Sequence, residues 1–228
     1  YLLLCLVDGR IYSLSAFTGE LQGIIYADPL LQRHTTRGGD AVIVPALDGK
    51  LYMHENQMIQ ELPISMQQLL ENPVRWCDQE NEQDCGILTA QAVTSLLALS
   101  DNGHLLWKTQ EDATNGPTNN NVEPPKLLLQ RNDYWIQHVL ASSGQQLWNV
   151  SLGTYKALDF DISSQELDDD GIEDDNDMPS IIFSNQGRTL TAIDSTTNTL
   201  LWKYDVPSAL SSVFGIANGG WMTVQVLH

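Results

Sequence analysis

The sequence predicts a mainly all-β fold: an open array of antiparallel three-stranded repeats, with one short helix near residues 64–72. Three observations predict it. An alternating apolar strand, a polar turn carrying Gly or Asn, and a short apolar run closed by Trp recur three times along the chain. The turns recur about every 40 residues, the length of one supersecondary repeat. A further strand-like segment precedes each hairpin.

The clearest copies run from Ser95 to Trp107, from Ile136 to Trp148 and from Leu190 to Trp202. Gly103, Gly144 and Asn198 sit in their turns, and both residue types accept the positive φ that tight turns demand. A weaker copy opens the chain at Ile11–Gln22 and lacks the Trp; another follows at Leu47–Asn56, sharing its Asp-Gly and aromatic strand with Val7–Tyr12. The preceding strands are Leu2–Val7, Ala41–Pro45, Ile87–Ala92, Lys126–Gln130 and Ser180–Ser184. Each closing Trp is expected to pack its ring on a neighbouring sheet.

One segment has helical rather than strand character. Ser65 can cap it, Met66, Leu69 and Leu70 share a face, and Pro73 stops it. Thr114–Pro125, rich in Asn and Pro, is a loop. The chain is therefore expected to form a single domain, 1–228, of about five units near 1–40, 41–86, 87–125, 126–163 and 180–228. An acidic insertion at 164–178 stretches the last spacing.

The formal net charge is -18, and ten of the 29 acids lie between Asp159 and Asp177. No Lys or Arg lies among them, and no basic cluster stands elsewhere. Nucleic acid is excluded as a partner, because its phosphates demand clustered Lys and Arg. The longest apolar run, Tyr1–Val7, falls far short of the roughly 20 residues that cross a bilayer and reads as a buried strand. No signal peptide is visible, and the chain opens directly in a strand, as an excised piece of a longer protein would.

Cys5 lies in that apolar strand and reads as a free buried thiol. Cys77 and Cys85 bracket a loop without apolar residues, which suggests a disulfide; two unrelated thiols are the alternative. Closing so short a loop would contribute about 2.5 kcal/mol in the chain-entropy model. Asn149-Val150-Ser151 is a glycosylation sequon, and with the cysteine pair it points to an oxidising, secretory compartment.

No catalytic constellation emerges. The five His residues are scattered, and neither a phosphate-binding Gly loop nor a nucleophile elbow is present. No cofactor is implied, and no zinc-ligand spacing exists. Glu166, Asp168, Asp170, Glu173, Asp174 and Asp177 partly resemble a calcium loop. The first ligand would be Glu and the last Asp, too short for bidentate reach, so a solvated acidic loop stands beside calcium as the alternative.

The repeat resembles the quinoprotein-type propeller repeat, whose enzymes use more blades than are counted here. A nearer resemblance is to the luminal domains of the endoplasmic-reticulum stress sensors. It rests on Val7–Tyr12, on Val44–Tyr52 followed by Leu62–Glu71, on Leu127–Arg131 followed by Leu147–Gly153, and on Thr191–Tyr204. The third stretch is most similar to PERK-type kinases, which the sequence favours. Asp28–Gln32 is more similar to the inositol-requiring kinase/ribonuclease branch.

The resemblance implies a non-catalytic sensor of unfolded polypeptides in the endoplasmic-reticulum lumen, on a single-pass membrane kinase whose span lies outside this chain. It implies homodimers or higher oligomers, the Hsp70-class chaperone BiP as a partner, and a cytosolic kinase acting on a translation initiation factor. The oligomer interface it implies lies after the first hairpin, at Ile25, Asp28, Leu30, Leu31 and Gln32. Rival readings are a calcium-binding extracellular β-repeat interaction module and a truncated quinoprotein.

Overall fold

The computed structural model describes residues 1–35, 42–46, 49–55, 58–77, 85–100, 102–109, 125–158, 179–184, 188–217 and 220–223. The acidic insertion 164–178, with the calcium alternative it carries, and almost all of the Asn/Pro-rich loop lie outside them. In chain order the strands are β1 (Leu2–Leu6), β2 (Arg10–Leu14), β3 (Leu21–Tyr26), β4 (Leu31–Thr35), β5 (Val42–Pro45), β6 (Lys50–Glu55) and β7 (Met58–Ser65). Helix α1 (Met66–Glu71) follows, then β8 (Val74–Trp76), β9 (Gly86–Leu99), β10 (Leu105–Lys108), β11 (Leu127–Leu140) and β12 (Gln146–Leu158). The last strands are β13 (Ser180–Ser184), β14 (Thr189–Ile193), β15 (Leu200–Asp205), β16 (Leu210–Ala217) and β17 (Gly220–Thr223).

The fold is all-β with one short helix. The sheets order as β17-β16-β1-β2-β3, β10-β9-β11-β12-β4, β13-β14-β15 and β5-β6-β7, with β8 also paired to β9. The second and last repeats are the three-stranded units that the pattern predicts. The third and fourth depart from it. Ile87–Ala92 and the strand after it run on as one 14-residue strand, β9. Lys126–Gln130 likewise merges with its successor into the 14-residue β11. The reason is chemical: between Ala92 and Ser95 stand only β-branched Val93 and Thr94, and no Gly or Pro interrupts β11.

The hairpin turns are one device reused. The amides of Ser15, Leu140 and Asp194 donate to the carbonyls of Glu20, Gln145 and Thr199, and Gly19, Gly144 and Asn198 donate back to Ser15, Leu140 and Asp194. Those three returning residues have φ of +70°, +69° and +55°. This is left-handed backbone that Gly enters without cost and Asn tolerates. Asp194 strengthens its turn by accepting the Thr196 and Thr197 amides at 2.9 and 2.7 Å. These bonds to the charged form, Thr197 first, hold its carboxyl below the ordinary range.

The described residues form two compact units. One contains Tyr1–Pro29, Ser95–Arg131 and Tyr155–His228; the other contains Leu30–Thr94 and Asn132–Thr154. In the first, the five-stranded sheet packs against β13-β14-β15 through Leu2, Leu4, Leu6, Leu14, Phe183, Leu190 and Trp202. The Trp202 indole N–H donates to the Ala16 carbonyl at 2.8 Å, and its ring lies flush on Gly19. The closing Trp of the last repeat thus packs on the turn of the first hairpin, satisfying its polar handle while burying its area. Cys5 is buried and free. Desolvation pushes its thiol well up, outweighing the opposite pull of Arg131, so it stays protonated.

In the second unit β5-β6-β7 and α1 enclose Ile43, Leu51, Met53, Leu62, Met66 and Leu69 against Leu88 of β9 and Ile136 of β11. Strand β7 runs through Ser65, and the helix starts at Met66, directly after the residue expected to cap it. Ser65 and Gln68 then form a capping box, and Asn72 ends the helix before Pro73.

Candidate self-association edge

A β-sheet edge offers unpaired N–H and C=O groups, and whether it pairs with another chain depends on its length and charge. The residues expected after the first hairpin do not form one strand. Ile25 is half-buried in β3, at the end of the five-stranded sheet. The Asp28 carbonyl accepts from Arg131 Nη1 at 2.8 Å. Leu30 is only 2% exposed and belongs to the buried core. Leu31 is exposed, and Gln32 pairs in register with Ser151 of β12.

Leu31 and Gln32 thus lie on β4, an edge strand of five residues. Its next two residues are Arg33 and His34, both exposed. Charge on a short edge strand is a device that discourages pairing. Asn149, the sequon residue, is half-buried on β12 and lies directly opposite His34.

Strand β9 has the opposite character. It is 14 residues long and carries no charge and no Pro. It pairs with β8 through Gly86–Leu88 and with β10 through Leu97–Leu99. Between those contacts, over Thr89–Thr94, β11 is its sheet neighbour among the described residues. Gln91, Ala92 and Thr94 are exposed there. Sequence reasoning placed these residues inside a three-stranded repeat and missed the edge. The signal that could have found it is the run Gly86–Leu99 itself, uncharged and without Gly, Pro, Asn or Asp after Gly86.

Cys77 and Cys85 are bonded, with Cα atoms 4.1 Å apart, just beyond the β8–β9 ladder. Among the described residues no three His, Cys, Asp or Glu converge as metal ligands. No helix of the described residues is long and apolar enough to cross a membrane.

No family model matches the chain. A curated relative is the probable serine/threonine-protein kinase ireA of Dictyostelium discoideum, 24% identical over 202 residues, a match taking in 68% of this chain and 20% of that protein. The chain thus spans about a fifth of that relative's length. Among solved structures the compact lumenal domain of yeast Ire1 superposes with a TM-score of 0.60 at 18% identity, covering 93% of this chain and 69% of that one. That likeness is one of fold.

Proposed function

We propose that this chain is a lumenal sensing domain of Ire1 type, non-catalytic itself, that signals by self-association through the open edge of β9. The observation that carries it is β9: a long, uncharged strand whose central stretch lacks a second sheet neighbour among the described residues. Two copies meeting antiparallel about a two-fold axis would complete each other's ladder, and no like charges would oppose them. The fold likeness to the yeast domain and the ireA relative support the inositol-requiring branch over the PERK-type branch that the sequence favoured. A kinase elsewhere in a longer, membrane-spanning parent is the effector this reading implies. Its location is the endoplasmic-reticulum lumen, and its partners are unfolded polypeptides, the Hsp70-class chaperone BiP and a second copy of the domain.

Glycosylation of Asn149 belongs to the same reading. Residues directly opposite in an antiparallel pair share a sheet face, so a glycan on Asn149 would stand beside His34 and shield the β4 edge. The modification and the Arg33 charge on β4 would act together, leaving β9 as the edge that pairs.

Sedimentation over a range of concentrations tests the proposal. The parent should pass from monomer to dimer, and Ala92→Lys should remain a folded monomer throughout. A parent that stays monomeric at every accessible concentration sinks the self-association reading. A folded Ala92→Lys that dimerises like the parent moves the interface away from β9.

A further inference from the structure

The β8–β9 corner carries a device that the proposed function leaves unused. Strand β8 is only three residues long, and its ladder with β9 pairs Val74 with Leu88, Arg75 with Ile87 and Trp76 with Gly86. So short a strand is marginal unless something else holds it. Two things do. Val74 and Trp76 pack against the core of their unit. The Cys77–Cys85 disulfide closes the end of the ladder, one residue beyond the Trp76–Gly86 pair.

The β9 side of this corner is rigidly seated. A Cβ on Gly86 would come within 2.3 Å of the Val139 carbonyl and 2.4 Å of His138 Nε2, so β9 lies flush on β11 here and glycine alone fits. His138 in turn is buried and stacks at a tilt on Trp148, with ring centroids 5.5 Å apart. Hence β9 is seated on β11 independently of the disulfide, whereas with the bond cut β8 is held only by its three-residue ladder and the packing of Val74 and Trp76. The disulfide is also reachable: Cys77 is exposed and Cys85 half-buried, whereas Cys5 is sealed in the core of the other unit.

We propose that Cys77–Cys85 is a reducible strap that holds β8 over the end of β9, and that a dithiol opens it to lengthen the pairing edge. The inference rests on the β9 self-association reading and supplies its regulation. A thiolate of the dithiol attacks Sγ of Cys77, the more exposed of the two residues, forming a mixed disulfide and releasing Cys85 as a thiolate that takes up a proton. The second thiol of the reagent, as its thiolate, then displaces Cys77, which is protonated in turn. Net, two electrons and two protons pass to the protein, and the dithiol leaves as its own disulfide. With β8 released, the open stretch of β9 grows from Thr89–Thr94 to Gly86–Thr94.

The test compares the oxidised parent, the parent reduced with dithiothreitol, and Cys77→Ser/Cys85→Ser without reductant. Thiols counted after denaturation should rise from one to three on reduction. Amide exchange at Gly86–Leu88 should quicken in the reduced parent and the double variant while the β11 amides stay protected. Self-association should tighten roughly tenfold, and the double variant should no longer respond to dithiothreitol. Unchanged protection at Gly86–Leu88 after full reduction overturns the strap. So does loss of cooperative folding on reduction, which would make the bond a structural staple. Quickened exchange in a protein that is monomeric in both redox states supports the strap and overturns the β9 reading instead. Because reduction of the parent needs no mutation, a double variant that fails to fold leaves the comparison intact.

Discussion

Two strands, β4 and β9, lie in the same six-stranded sheet order, and each has a stretch with a single sheet neighbour among the described residues. They differ in what they would present to a partner. β4 has five residues, of which Arg33 and His34 are exposed, and a sequon residue sits opposite on β12. β9 has 14, without a charge or a proline, and its ends are tied down by β8 and β10. An edge is protected by its chemistry rather than by its position. Apolar residues alone are likewise a poor guide to an interface. Leu30 and Leu31 are adjacent and chemically identical, yet one is buried and the other is 47% exposed.

The largest expected effect breaks that last pair apart. Leu30→Asp should place a carboxylate in a dry site at a cost of several kcal/mol, which is enough to abolish a cooperative melt in a domain of ordinary stability. Leu31→Asp should shift stability by about 0.5 kcal/mol or less, as exposed substitutions do. Thermal melts followed by circular dichroism distinguish the two, and equal effects would contradict the burial seen at position 30.

Next comes the contrast between edges. Ala92→Lys should weaken self-association by more than roughly tenfold, because each copy brings the same new charge to a two-fold contact. Leu31→Asp, already expected to fold, should leave association unchanged. If the two variants exchange these outcomes on sedimentation, β4 rather than β9 is the pairing edge.

A smaller effect sharpens the comparison from the other side. Arg33→Val with His34→Val removes the charge that blunts β4 and should add a second, weaker mode of association visible as species larger than a dimer. Light scattering reads it directly; a strictly dimeric variant would show that length, not charge, keeps β4 silent. The smallest effect is expected of Asn149→Gln in protein from a glycosylating host. Loss of the glycan should be visible by mass, with dimerisation through β9 unaltered and only a slight rise in larger species. A collapse of dimerisation would put Asn149 at the interface itself.

Local residue patterns were enough for the all-β class, the turns and the helix. These are local matters: Gly144 and Asn198 sit where the backbone needs positive φ, and Ser65 with Gln68 caps α1 within four residues. The sequence also placed Cys77 and Cys85 at either end of one short loop, and their bond is among the described contacts. Which strands lie side by side followed from long-range packing. Alternation reports that a strand has a buried face, but not who lies beside it, because sheet neighbours come from distant parts of the chain. The three-strand rhythm therefore held for β5-β6-β7 and β13-β14-β15 and failed for β9 and β11, where two expected strands fused. The same limit applies to the segment after the first hairpin. It reads as one strand in sequence, but β3 and β4 belong to different sheets and Leu30 between them is drawn into the core. Burial of that leucine, and the choice of sheet neighbours along β9, are settled by long-range packing that no local pattern of residues encodes.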